Sequence, residues 1–227
     1  MKDVAEYLPY ATTRRKVKKR TILLYQGEVP KQVYIVISGC FKMYRLGNFG
    51  EEQVAGFKTA GDLFSEGWIF GMSASTMYYY EAIETSEVLT IERDELLRLL
   101  ERQPHLKDRL FLNLLKNYTG LMLQVSALEQ SRATEKVLLT LNYMLYRYGK
   151  ECKPGQFAIN IQLTHATFAS MMGLARETAA AELIKLKRKG IISYDRKHFI
   201  IDKSKLMQRI GDESLSEFLG PLNQKMP

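Results

Sequence analysis

Between residues 111 and 128 apolar side chains recur with the spacing of a helical seam: Phe111, Leu114, Tyr118, Leu121, Val125 and Leu128, at steps of three, four, three, four and three. No other feature of the chain restricts the fold as strongly. An a/d stripe held over that length requires a long helix with one face against another helix. Leu110, Leu112, Leu115, Met122 and Leu123 add a second apolar face. A helix apolar on both sides fits one that packs on its own β domain and on a twin subunit, so a homodimer is expected.

Around this helix the chain changes character twice. Residues 20–92 offer short apolar or alternating runs cut by glycines, the pattern of a closed or rolled β structure. "GNFGEE" reads as a hairpin turn, and later strands are expected from Tyr78 to Ile83 and from Glu87 to Ile91. The run "RRKVKKR", six cations in seven residues, reads as a solvated basic edge before the first strand. From Arg93 the period becomes helical. A short helix ends before Pro104, which then serves as the first residue of the long helix. Past it, "SRATEKVLLTLNYMLYRYG" gives a helix with Thr134 as its N-cap and Gly149 as its C-cap, followed by "KECKPGQ" as a loop. The expected class is α+β: a rolled β unit over 1–103, a dimerisation helix and hinge over 104–132, and a unit of helix, turn, helix and hairpin over 133–227.

A formal charge of +8 and a pI near 9.3 favour an anionic partner, with nucleic acid foremost. No apolar run approaches the roughly 18 residues of a membrane span. The start "MKDVAEYLPY" lacks the apolar core of a signal peptide, so no membrane role and a cytoplasmic setting are expected. Cys40 and Cys152 are too few for a disulfide framework and suit a reducing compartment. His105, His165 and His198 are scattered, so no metal site is expected. No nucleophile–base spacing or phosphate-binding glycine loop points to an enzyme.

The stretch "GLARETAAAELIKLKRKG", residues 173–190, carries the functional reading. Thr164 caps a short helix with Phe168, Met171 and Met172 on its apolar face, and Gly173 permits a tight turn. Ala175 then precedes a second helix in which Ala179, Leu183 and Leu186 share the inner side. Opposite them stand Arg176, Glu177, Ala180 and Ala181. In a helix-turn-helix, side chains at the start of the second helix reach base edges in the major groove. Arginine donates bidentately to guanine, glutamate accepts from cytosine N4, and alanine methyls meet thymine methyls. Lys185, Lys187, Arg188 and Lys189 are expected at phosphates near the far end of that helix or as partners of its C-terminal dipole, Thr178 and His165 are candidates for phosphate contacts, and Thr164 is placed with them at the DNA. The hairpin "GIISYDRKHFII" reads as a wing against the DNA backbone.

On these residues the chain resembles the CRP/FNR (cAMP receptor protein / fumarate-nitrate reduction regulator) superfamily of bacterial transcription factors. "YQGEVPKQVYIVISG" looks like that family's first β-roll hairpin, "AGDLFSEGWIF" like its effector-contacting segment, and "GLARETAAAELIKLKRKGII" like its recognition helix. The resemblance implies a cyclic-nucleotide-binding-type β-roll, a dimerisation helix and a winged helix that binds a near-palindromic double-stranded operator. It also implies that "GKECKPGQ" occupies a region that touches RNA polymerase in activators.

The effector contacts do not carry over. Ser65-Glu66 stands where cAMP-binding members have Gly-Glu, Thr76 and Met77 where an Arg-Ser pair clamps the phosphate, and Leu121 and Met122 where a polar pair reads adenine. A phosphate anion without its arginine is poorly compensated. cAMP is therefore not expected, and no cofactor is assigned. The pocket formed by Glu66, Gly67, Trp68, Thr76, Met77, Tyr78, Leu121 and Met122 is expected either to be filled by its own side chains or to accept an apolar or aromatic molecule. An iron–sulfur cluster usually takes four thiolates, and the chain supplies two. The rival function is a sensor protein with a non-nucleotide or redox effector, in which protein partners rather than DNA dominate.

Overall fold

A computed structural model describes residues 12–194 and 199–211. The expected wing tip at 195–198, with His198, lies outside them. Two compact units, 1–114 and 115–227, divide inside a single helix.

The first unit holds two antiparallel sheets. One has the order β1 (Thr13–Val17), β7 (Ser86–Ile91), β3 (Val33–Ser38). The other runs β2 (Ile22–Leu24), β6 (Tyr79–Ala82), β4 (Cys40–Leu46), β5 (Glu52–Thr59). Strand β3 shows why "VYIVIS" is apolar almost throughout. Its Val33 and Ile35 enter a cluster with Leu89 and Ile91 of β7 and with Leu96, Leu100 and Leu106 from helices. Its Tyr34 and Val36 point the other way, into a cluster with Phe41, Phe64, Tyr80 and Val88. A strand buried on both faces loses the polar alternation of a half-exposed one. Helix α2 (Arg93–Arg102) covers the first cluster, and the four-residue α1 (Glu66–Ile69) sits at its margin.

The basic run is not an edge ahead of the sheet but part of it. Thr13 to Val17 pair with Thr90 to Ser86 of β7. Val17 drops into the second cluster while Arg14, Arg15 and Lys16 stay in solvent, with Arg14 3.7 Å from Glu87. One apolar residue among five is too weak a period to mark a strand. The free edge of β7 supplies what the local sequence lacks.

Helix α3 (Pro104–Leu128) spans about 37 Å at the usual rise. Its inward face in the first unit carries Leu106 and Leu110, and the Asn113 amide donates to Gly61 O and to Asp62 Oδ1. In the second unit Gly120, Leu123 and Ala127 are buried. Phe111, Tyr118, Leu121, Val125 and Leu128 lie exposed, and Leu114 is half-buried. The second apolar face needs correcting. Leu112, Leu115 and Met122 lie exposed beside the seam residues, leaving Leu110 and Leu123 to turn inward.

The second unit continues with α4 (Ala133–Tyr148), β8 (Gly149–Lys153), β9 (Gln156–Ile159), α5 (His165–Met172), α6 (Arg176–Arg188), β10 (Ile192–Tyr194), β11 (Phe199–Asp202) and α7 (Lys203–Ile210). The sheet order is β10-β11-β9-β8, all antiparallel, and α4 packs against α5, α6 and α7. Two expectations change here, and a third holds for a different reason. "KECKPGQ" is a hairpin of β8 and β9 rather than a loop, which puts Cys152 on a strand. Arg132, not Thr134, is the α4 N-cap, because the Thr134 hydroxyl is engaged elsewhere. Gly149 is the C-cap, but for lack of space rather than for a left-handed turn: a Cβ there would lie 2.4 Å from Leu145 O. Helix α7 follows an Asp202 cap and was not visible as an apolar repeat.

Candidate functional site

The exposed end of α6 is positioned by the turn before it. Thr164 Oγ1 accepts from Thr167 N at 3.0 Å and starts α5. Gly173 closes α5 at φ 61°, ψ 35°, the left-handed conformation that glycine adopts without Cβ strain. Leu174 N donates to Ala169 O, and Ala175 then caps α6. Ala179, Leu183 and Leu186 are almost fully buried, which fixes the rotation of the helix. With that face down, Arg176, Glu177, Thr178 and Ala181 stand in solvent, and Ala180 is half-buried.

Glu182 is the buried charge on this helix, and its role was not legible in sequence. Its carboxylate accepts from the Thr134 hydroxyl of α4 at 2.8 Å and from Lys185 Nζ at 2.6 Å. The Lys185 hydrogen bond is the main influence that lowers its pKa, and Thr134 adds to it against the opposing effect of burial. Lys185 is thus tied along its own helix while still exposed.

Lys187 is engaged as well. Lys187 Nζ lies 4.3 Å from the centre of the Tyr194 ring, a cation–π contact. His165 meets the same ring edge-on at 6.0 Å, and Tyr194 stacks on Phe199 at 5.6 Å. Phe199 lies in turn 6.2 Å from Phe168. Tyr194 therefore joins the wing strands to both helices, which no short-range pattern revealed. Arg188 and Lys189 are exposed near the far end of α6.

In the β-roll the expected pocket residues separate. Trp68 packs against the helix-side cluster, where Arg93 donates to Trp68 O and Ile69 O. Tyr78 packs against the other cluster. Thr76 is buried and its hydroxyl donates to Tyr78 O, Gly67 is half-buried, and Met77 is exposed. Leu121 and Met122 belong to the second unit and are exposed there.

The charge that the stretch from Glu66 to Tyr80 lacks arrives from β5 instead. Lys58 is buried, and its ammonium donates to Glu66 Oε1. Burial opposes that ammonium, but the Glu66 carboxylate, aided by Tyr80 and Asp62, holds its pKa above the ordinary value. Tyr80 stacks on Phe64 at 4.8 Å; burial raises its phenol, partly countered by Lys58. Ser65 takes φ 56°, the region favoured by glycine, and among the described residues its buried Oγ has no hydrogen-bond partner. Cys40 is buried with its thiol pushed well up by burial and by Glu84 and Asp62, an inert small hydrophobe rather than a thiolate. Among the described residues no group of three metal-ligating side chains converges, and no helix is long and apolar enough to cross a membrane.

Comparison with known proteins agrees with both halves. Residues 14–103 match the cyclic nucleotide-binding domain and residues 136–209 the Crp-like helix-turn-helix domain. The regulatory protein HlyX of Actinobacillus pleuropneumoniae is 27% identical over 195 residues, covering 84% of this chain and 78% of that protein. The fumarate and nitrate reduction regulatory protein of Yersinia pestis is 24% identical over 199 residues, covering 87% and 78%. The structure of FixK2 from Bradyrhizobium japonicum shares the fold with a TM-score of 0.69 at 20% identity, over 87% of this chain and 96% of that one. With both domain types present in this order, and with known regulators aligned across both of them, the chain belongs to the CRP/FNR superfamily and is a DNA-binding transcription regulator.

Proposed function

We propose that this regulator acts as a homodimer that inserts the start of α6 into successive major grooves of a near-palindromic operator, without cAMP. The observation that carries the reading is the exposed Arg176-Glu177 pair at the N-terminus of a helix rotated by its buried Ala179, Leu183 and Leu186. Arg176 supplies a bidentate donor to guanine and Glu177 an acceptor for cytosine N4. Arg188 and Lys189 serve the phosphates, with Lys185 and Lys187 as more restrained partners. The exposed stripe on α3 supports pairing with a second copy, since so many aligned apolar side chains are unfavourable in water. Two half-sites then fall about one helical turn apart.

For the roll, the Lys58–Glu66 pair supports independence from cyclic nucleotides. The Glu66 carboxylate, which stands where cAMP-binding members have Gly-Glu, is already satisfied by the chain's own ammonium. The Thr76 hydroxyl is likewise engaged within its own turn. A cytoplasmic regulator that contacts RNA polymerase through the β8–β9 hairpin fits the same reading. The test is selection of sites from a random duplex library by the full chain, followed by footprinting with and without cAMP. Paired half-sites protected equally in both conditions are expected; protection that requires cAMP would refute the effector part.

A further inference from the structure

On the outward face of α6 one side chain is chemically out of place. Glu177, Ala181, Ile184 and Arg188 follow one another at steps of four, three and four, opposite the buried Ala179, Leu183 and Leu186. Ile184 is 42% exposed and is the one large aliphatic side chain that α6 leaves in solvent. Its neighbours toward the N-terminus are Ala180 and Ala181, too small to cover it. The residues along this face are polar or cationic: Glu177 and Arg176 about two turns earlier, Lys185 beside it, Arg188 one turn later. So cationic a surface fits a polyanion better than an apolar protein groove. In the major groove of DNA the apolar feature is the 5-methyl group of thymine.

We propose that Ile184 is a further specificity-determining residue of this regulator, reading a thymine methyl one turn deeper along the groove than Ala180 and Ala181. The inference rests on α6 being the helix that enters the groove. Its chemistry is direct. Isoleucine in a helix holds essentially one χ1 rotamer, so its branched end is fixed before binding and little freedom is lost on contact. It offers neither donor nor acceptor, so it cannot compensate a cytosine N4 amino group that comes to face it without water. Thymine is favoured twice, by methyl burial and by the absence of that unpaired donor.

The experiment uses the full-length chain and the site that it selects from the random library. Each thymine of one half-site is replaced in turn by uracil, which removes the methyl and leaves every hydrogen-bonding group in place. At one thymine the wild type is expected to bind about fourfold more weakly, the effect of one methyl group leaving an apolar contact. Ile184→Ala, on an exposed helical position where alanine is well tolerated, is expected to lose that discrimination; Ile184→Val is expected to keep it. Uracil tolerated at every thymine by the wild type, or an equal penalty in Ile184→Ala, overturns the assignment while α6 stays in the groove. A wild type that enriches no sequence at all removes both.

Discussion

Arg176→Ala removes the bidentate donor at the head of α6 and is expected to weaken binding to the selected operator by about 1–3 kcal/mol and to relax preference at one base pair. Titration of matched and single-mismatch duplexes checks both effects. The cations behind it are not equivalent. Lys187 rests over Tyr194, whereas Arg188 is exposed on the outward stripe. Arg188→Ala is expected to reduce the slope of log affinity against log salt by about 1, and Lys187→Ala by less. In the roll, Lys58→Met leaves Glu66 without its buried partner and is expected to destabilise the first unit by about 3 kcal/mol. Adding Glu66→Leu to that variant is expected to restore much of the loss, since two apolar groups leave no orphaned charge. Denaturant unfolding of the single and double variants reads this. Lys58 and Glu66 are eight residues apart on a strand and a short helix. Only the fold brings them into contact, which is why sequence reading found a carboxylate without a cation.

At the scale of elements, the orientation of α6 depends on more than its apolar side. Glu182 ties it to Thr134 at the start of α4. Its folded pKa lies below the ordinary 4.5, so its contribution is complete above that value and is lost as pH falls through the lower folded value. Thermal unfolding of the wild type from neutral pH downward is expected to show this loss, and Glu182→Gln is expected to flatten it. Strongly periodic elements were readable in advance: the α2–α3 break at Pro104, the capped α5, the Gly173 turn and the buried side of α6. Elements held by pairing were not. Strands β1 and β8 carry polar or basic sequences whose extended state is decided by the neighbouring edge that they join.

At the scale of the whole molecule, the exposed apolar face of α3 stands out among the described residues. Tyr118→Glu with Leu121→Glu puts two carboxylates into the proposed seam and is expected to yield a single-chain mass in sedimentation. Operator affinity is expected to fall by roughly 100-fold or more, because two linked half-sites are no longer engaged together. A double variant that stays dimeric would place the contact between copies elsewhere.

Period and punctuation along the chain determined the long helix, the roll, the helix-turn-helix and the side chains at the head of α6, because those properties follow from neighbours within a few residues. The tertiary structure alone decided which apolar side chains of α3 turn inward, that Lys58 satisfies Glu66, that Glu182 and Tyr194 hold the reading helix and the wing, and that Ile184 is left facing out. Each of those depends on where a distant strand or helix comes to lie, and burial and charge compensation have no local signature in sequence.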